Sequence, residues 1–214
     1  MFCRMTDLPG LPPGAFDKID RSPDPFFYVQ PRLVTHIDDG AIAAVTALYR
    51  RLLRPGGIVL DLMSSWVSQF PEDVVYGHVT GHGMNAAELD ANRRLDARLV
   101  QDLNANPQLP LPSGHFDAVC SCVSVQYLQR PVDVFREVAR VLRPGAPLVV
   151  TFSNRCFPTK AIALWRALDG NDQQRLVGLY MQTAGLEAIE TSRVTPASGD
   201  PIWSVVGFAP ARAP

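Results

Sequence analysis

Apolar positions fall into two rhythms along this chain. Between His36 and Leu53, Ile42, Val45, Leu48, Tyr49 and Leu52 recur at helical spacing, with Asp38 or Asp39 placed to cap the start and "RPGG" to end it. "GIVLDL" (57–62) is continuously apolar, as a strand covered by helices on both faces should be. A second strand is expected within 74–83, interrupted by glycines. A helix follows over 85–95, where Asn85 can cap and Glu88 stands three residues on. "ARLVQDL" (97–103), "HFDAVCSCVSV" (115–125) and "PLVVTFS" (147–153) read as further strands, and 67–74 as a short helix or turn. Helices are expected over 130–142, 158–170 and 172–185, with Val134, Val138, Val141 and Leu142 on one face of the first. Two last strands, 186–194 and 201–209, are joined by so short a link that a hairpin is expected. Strand–helix alternation ending in a hairpin predicts an α/β, doubly wound, Rossmann-like sheet of about seven strands. It should be mostly parallel, with an antiparallel C-terminal strand and helices on both faces.

The first 36 residues differ. Pro9, Pro12, Pro13, Pro23, Pro25 and Pro31 oppose a long helix, yet Phe16, Phe26, Phe27 and Tyr28 favour packing on a domain. Residues 1–36 are therefore expected to form an arm or lid on a single domain, 37–214. Twenty basic and 21 acidic residues give a net charge of −1, which argues against nucleic acid held by phosphate neutralisation and against a polybasic membrane anchor. No apolar run reaches the roughly 18–20 residues of a membrane span, and no signal peptide is visible, so a cytoplasmic location is expected. The four cysteines suggest neither a disulfide framework nor a metal site. Cys120 and Cys122 should share one face of their strand as small core residues.

In an open α/β sheet ligands bind beyond the carboxyl ends of the strands, which directs attention to residues 61–66, 82–85, 101–104 and 121–127. Asp61 and Asp102 each end a strand, where a carboxylate can bind a ligand or simply cap a turn. From Leu99 the chain runs "LVQDLNANPQLPLPSGHFDAVCSCVSVQYLQRPVDVFREVARVLRPGAPLVVTFSN". This string, within a likeness covering roughly 54–210, resembles the class I methyltransferases that use S-adenosylmethionine, in particular those called type 11. The resemblance implies S-adenosylmethionine as cofactor, S-adenosylhomocysteine as product and a small-molecule methyl acceptor. It implies that Asp102 accepts from the adenine amino group and that Leu103 offers its N–H to the ring. Asp61 would organise the turn at the methionine end, and the segment containing Val123 would run along that end.

The likeness breaks at one corner. Family members carry three alternating glycines after the first strand, and here those places hold Met63, Ser65 and Val67. Glycine normally supplies positive φ and close backbone approach there. The acid that ends the second strand in the family aligns with Gly83, followed by Met84 and Asn85. Two readings follow. Ser64 and Ser65 line a reshaped turn of a working site, or the domain is an inactive, methyltransferase-like binding scaffold. Trp66 either closes the pocket or packs as core. For chemistry, Tyr127 and His36 are the candidate catalytic residues, and Tyr28 and Arg32 of the arm candidate cofactor contacts. Asn154 is a polar rim candidate. His78 and His82 read as structural or solvent-facing and His115 as exposed. Trp165, Leu168 and Tyr180 suit either an acceptor pocket or the core.

Overall fold

The computed structural model describes residues 8, 10–194 and 199–211. Seven strands form one sheet in the order β3-β2-β1-β4-β5-β7-β6. They are β1 (Ile58–Asp61), β2 (His78–Gly83), β3 (Ala97–Val100), β4 (Ala118–Cys122), β5 (Pro147–Phe152), β6 (Glu187–Val194) and β7 (Ile202–Phe208). The first five pair in parallel, and β7 runs antiparallel to both neighbours. Strand order reverses between β1 and β4, so their carboxyl ends part and leave a crevice.

Alternation of side chains sorts the core into two layers. Leu60, Val119, Leu148, Val150 and Phe152 pack on one face with α4 (Pro131–Val141) and α6 (Gly170–Thr183). Val59, Cys120 and Val149 pack on the other with α2 (Asp39–Leu52), Phe70 and Tyr76. Cys120 and Cys122 do share the second face. The caps follow the sequence. Asp38 accepts from the Ala41 N–H at 2.9 Å, and Asn85 accepts from the Glu88 N–H at 3.1 Å to start α3 (Ala86–Ala91). No helix of the described residues is long and apolar enough to cross a membrane.

Two expected elements come out shorter, while residues 67–74 form a turn, one of the two forms expected there. The second strand starts at His78, because Val74–Gly77 lies against the preceding loop: a Cβ on Gly77 would meet the Gly56 carbonyl at 2.6 Å. The helix expected over 158–170 shrinks to α5 (Ala163–Ala167). Here tertiary bonds replace local ones. The N–H groups of Ala163 and Leu164 donate to Asp17 and Ala15 of the arm, each at 2.8 Å. Trp165 and Tyr180 are core residues, 3% and 1% exposed.

Between Ala15 and Val34 the arm is bonded repeatedly to the domain. It contains one helical turn, α1 (Asp24–Tyr28). Lys160, fully buried, donates to the Ser22 carbonyl at 2.9 Å and pairs with Asp20 at 3.0 Å and Asp24 at 3.3 Å. Asp24 also holds Lys18 at 2.5 Å and accepts from the Asn104 amide at 2.9 Å. Gln129 reaches the Phe16 carbonyl at 3.1 Å. Removing one member of a buried ion cluster leaves the others uncompensated. Lys160→Met is therefore expected to cost about 3 kcal/mol in urea unfolding and to speed proteolysis within residues 16–36. A variant as stable and as resistant as wild type would show that the cluster does not hold the arm.

Candidate functional site

The crevice at the β1–β4 switch point is a cavity of about 300 Å³. Its wall brings together Tyr28 and His36 of the arm, Asp61, Met63, Ser64 and Ser65 after β1, Met84 after β2, Asp102 and Leu103 after β3, and Val123 and Tyr127 after β4. Of the residues singled out in the sequence, Arg32 and Asn85 are not in this wall. The Arg32 guanidinium lies 4.4 Å from the Phe27 ring centroid and 5.4 Å from that of Phe157, and donates to the Phe27 carbonyl. Asn85 donates to the carbonyls of Tyr28 and Val29 while capping α3. Both hold the arm. Asn154 also stays outside, and the wall is completed by Arg155, Cys156 and Phe157.

The turn after β1 is made without glycine. Met63 adopts φ 58°, the left-handed conformation that a glycine would take freely. For an L-residue this costs roughly 1–2 kcal/mol. Hydrogen bonds offset it. The Met63 N–H donates to His82 Nδ1 at 3.3 Å, and the Ser64 N–H to the His82 carbonyl at 2.6 Å. Met63 packs against the core next to Leu62 while lining the cavity. Ser65 and Val67 have ordinary backbone angles, so only one of the three family glycine positions requires positive φ. Val123, at φ 49°, is a second strained residue on the wall.

Serine hydroxyls and carboxylates brace the turn. Asp61, 5% exposed, accepts from Ser64 at 2.6 Å and from Ser68 at 2.5 Å. Burial raises its pKa from 3.8 to about 6, against the opposing pull of the two hydroxyl bonds. Asn92 donates to Ser68 Oγ and to the Ser65 carbonyl, each at 2.9 Å. The Trp66 indole donates to the Val34 carbonyl at 3.0 Å, tying the turn to the arm. Trp66 thus lines the cavity as a fastener.

Two residues of this site were not legible as such in the sequence. His82 is 1% exposed, and burial lowers its pKa to about 4. Because Nδ1 accepts from Met63, the proton sits on Nε2, which has no hydrogen-bond partner among the described residues. Glu88 stands where a capping box would turn its carboxylate back to the cap residue. Instead it faces the arm and the turn, accepting from the Arg32 N–H at 2.7 Å and the Ser65 hydroxyl at 2.6 Å. Its spacing from Asn85 signalled a cap, and only packing reveals the cavity.

The remaining groups are partly committed. Asp102 Oδ1 accepts from the Asn104 N–H at 2.9 Å, the turn-capping role open to any strand-end carboxylate. The Tyr127 hydroxyl accepts from the Phe157 N–H at 2.9 Å, and burial pushes its pKa to about 12. His36, edge-on to Phe157 at 5.3 Å, has its pKa lowered, chiefly by burial.

Asp61 gives a pH test. Its folded pKa lies above the unfolded value, so the folded state binds the extra proton between the two. Its contribution is present below pH 4 and is lost as pH rises through 6, up to about 2–3 kcal/mol. Stability of wild type relative to Asp61→Asn should fall by this amount between pH 4 and pH 7 in urea titrations. Parallel pH profiles for the two proteins would refute it.

Residues 63–150 match a family model described as "Methyltransferase domain". No curated protein matches the chain. Among solved structures, the [4+2]-cyclase SpnF superposes with a TM-score of 0.62 at 17% identity, covering 85% of this chain and 89% of its own. The structure of the Haloferax volcanii Trm112 methyltransferase activator complex gives 0.60 at 17%, covering 80% of this chain and 95% of the matched one. Geranyl diphosphate C-methyltransferase from Streptomyces coelicolor, solved with S-adenosyl-L-homocysteine, gives 0.55 at 14%, covering 78% and 77%. At such identities the structural likeness speaks for the fold alone. The matched segment runs from the strained turn into β5, and over it the chain is similar to a methyltransferase domain.

Proposed function

We propose that the protein transfers a methyl group from S-adenosylmethionine to a small-molecule acceptor. The observation carrying this reading is the strained, non-glycine turn at Met63. Its backbone and side-chain bonds keep Asp61, Ser64 and Ser65 on the wall of one cavity with Asp102 and Leu103. Strain kept at a cavity wall favours a working site over a decayed one. An inactive scaffold remains the second reading, and the cyclase among the structural neighbours illustrates that this fold also hosts other chemistry.

The residues present fit the cofactor. Gly83 lets the chain pass closely: a Cβ there would meet the Ser64 carbonyl at 2.6 Å. The Nε2–H of His82, a residue of the cavity wall, is buried without a hydrogen-bond partner among the described residues. Asp102 and Leu103 would hold the adenine, and the Asp61–Ser65 turn with Val123 the methionine end. The cofactor supplies an electrophilic sulfonium methyl. The chain's own part is to place the acceptor in line and exclude water. The arm, as a lid, serves both through Tyr28, Val34 and His36. His36, neutral at physiological pH, is the residue suited to take a proton from the acceptor. Tyr127, with its hydroxyl engaged and its pKa high, positions the acceptor and is a poor base.

Calorimetry with S-adenosylhomocysteine tests the cofactor. Asp102→Ala should weaken binding by about 1–3 kcal/mol, and an unchanged affinity removes Asp102 from the site. Turnover should fall as pH drops through the lowered His36 pKa. His36→Gln should abolish that limb and lower kcat by roughly 10²-fold with cofactor affinity unchanged. A folded protein that ignores millimolar S-adenosylhomocysteine would favour the scaffold reading.

A further inference from the structure

We infer that the methyl acceptor is a small aromatic acid, and that Arg155 selects it by holding its carboxylate. The inference rests on the methyl transfer proposed above and adds the chemical class of the acceptor. It concerns a residue three positions beyond the carboxyl end of β5.

Among the described residues, Arg155 is the only lysine or arginine on the cavity wall. The acids of that wall already have donors: Asp24 from Lys18, Asp61 from two serines, Glu88 from Ser65 and Asp102 from the Asn104 N–H. Strands β2, β1 and β4 separate β3 from β5 in the sheet. Four strand spacings of this kind set Asp102 and Arg155 roughly 19 Å apart, at opposite ends of the crevice. The guanidinium is engaged on one side. Its Nε–H donates at 2.7 Å to Asp200, which is 5% exposed. Asp200 is fixed in turn by a reciprocal clasp with Asp38, accepting from the Asp38 N–H at 3.2 Å and donating its own N–H to the Asp38 carboxylate at 2.6 Å. This clasp sets the direction of the fork. Nη1 and Nη2 make no hydrogen bond among the described residues, and the side chain is 62% exposed. With Nε taken, the pair of Nη donors remains, and such a pair meets a carboxylate in bidentate fashion.

The proposed base stands at the same end. His36 precedes Asp38, the partner of Asp200, by two residues. Its ring meets edge-on, at 5.3 Å, that of Phe157, which follows Arg155 by two residues. Phe157 also stacks on Tyr127 at 6.0 Å. A carboxylate held by Arg155 therefore brings the body of the acid beside these rings and directs its hydroxyl or amine toward His36. The rings favour an aromatic body, because aromatic pairs gain more than plain burial supplies. A neutral analogue of the same shape keeps the ring contacts and forfeits the charge-assisted pair.

The test measures binding of meta-hydroxybenzoate, para-hydroxybenzoate, para-aminobenzoate and para-hydroxyphenylacetate, each beside its neutral amide, to protein saturated with S-adenosylhomocysteine. Ligand-observed NMR gives the affinities. Wild type should bind at least one acid about tenfold more tightly than its amide. Arg155→Gln should lose most of that preference while binding the amides and S-adenosylhomocysteine as wild type does. Arg155→Lys keeps the charge without the fork and should retain only part of the preference. A merely structural role for Arg155 would weaken acid and amide together and leave their ratio unmoved. No acid preferred over its amide, a preference unchanged in Arg155→Gln, or a variant weakened toward S-adenosylhomocysteine instead overturns the inference and leaves the methyltransferase reading standing. Wild type that ignores S-adenosylhomocysteine overturns the two together. If Arg155→Gln does not fold, Arg155→Lys decides, and a full preference in that variant overturns the inference.

Discussion

The site depends on how the chain leaves β1. The chain turns sharply at the carboxyl end of β1, and one residue of that turn enters positive φ. Here that residue is Met63, and His82 on the neighbouring strand makes it tenable by receiving both the Met63 and Ser64 N–H groups. Strain costing roughly 1–2 kcal/mol is thus held by two hydrogen bonds between adjacent strands. Everything beyond is braced outward from this point: Ser64 and Ser68 on Asp61, Ser65 on Glu88, and Trp66 on the arm.

Replacing glycines with side chains changes what the turn can do. A glycine turn can approach a ligand with bare backbone. This one is ordered beforehand by hydroxyls, an asparagine amide and two carboxylates. Burying Asp61 raises its pKa, and the two serine donors keep that rise in check. Buried polar groups are worthwhile only when partnered. His82 Nε2 is among the buried atoms of the described residues that have no such partner.

The arm changes the picture of the cavity as a whole. Proline-rich and aromatic, it has among its described residues no regular structure beyond one helical turn, so their backbone polar groups must find partners elsewhere. They find them on Lys160, Asn85, Glu88, Trp66 and Gln129. Two of these, Glu88 and Trp66, line the cavity. Covering the site and satisfying the arm's backbone are one arrangement.

The sequence by itself determined the sheet. Continuous apolar runs and period-3.6 patterns, the Asp38 and Asn85 caps and the terminal hairpin depend on neighbours a few residues away, and the observed elements follow them with ends trimmed. It also determined that Asp61, Asp102, Leu103 and Val123 would gather, because strand ends meet wherever strands are parallel. Tertiary structure decided the rest. Arg32 and Asn85 are drawn away to hold the arm, since aromatic rings and unpaired carbonyls there compete for their donors. Glu88 and His82 acquire their places only through partners 56 and 19 residues distant in the chain, bonds that no local spacing encodes. Whether a methionine could stand in for a glycine was likewise settled by its neighbour strand, which supplies the two acceptors that hold it.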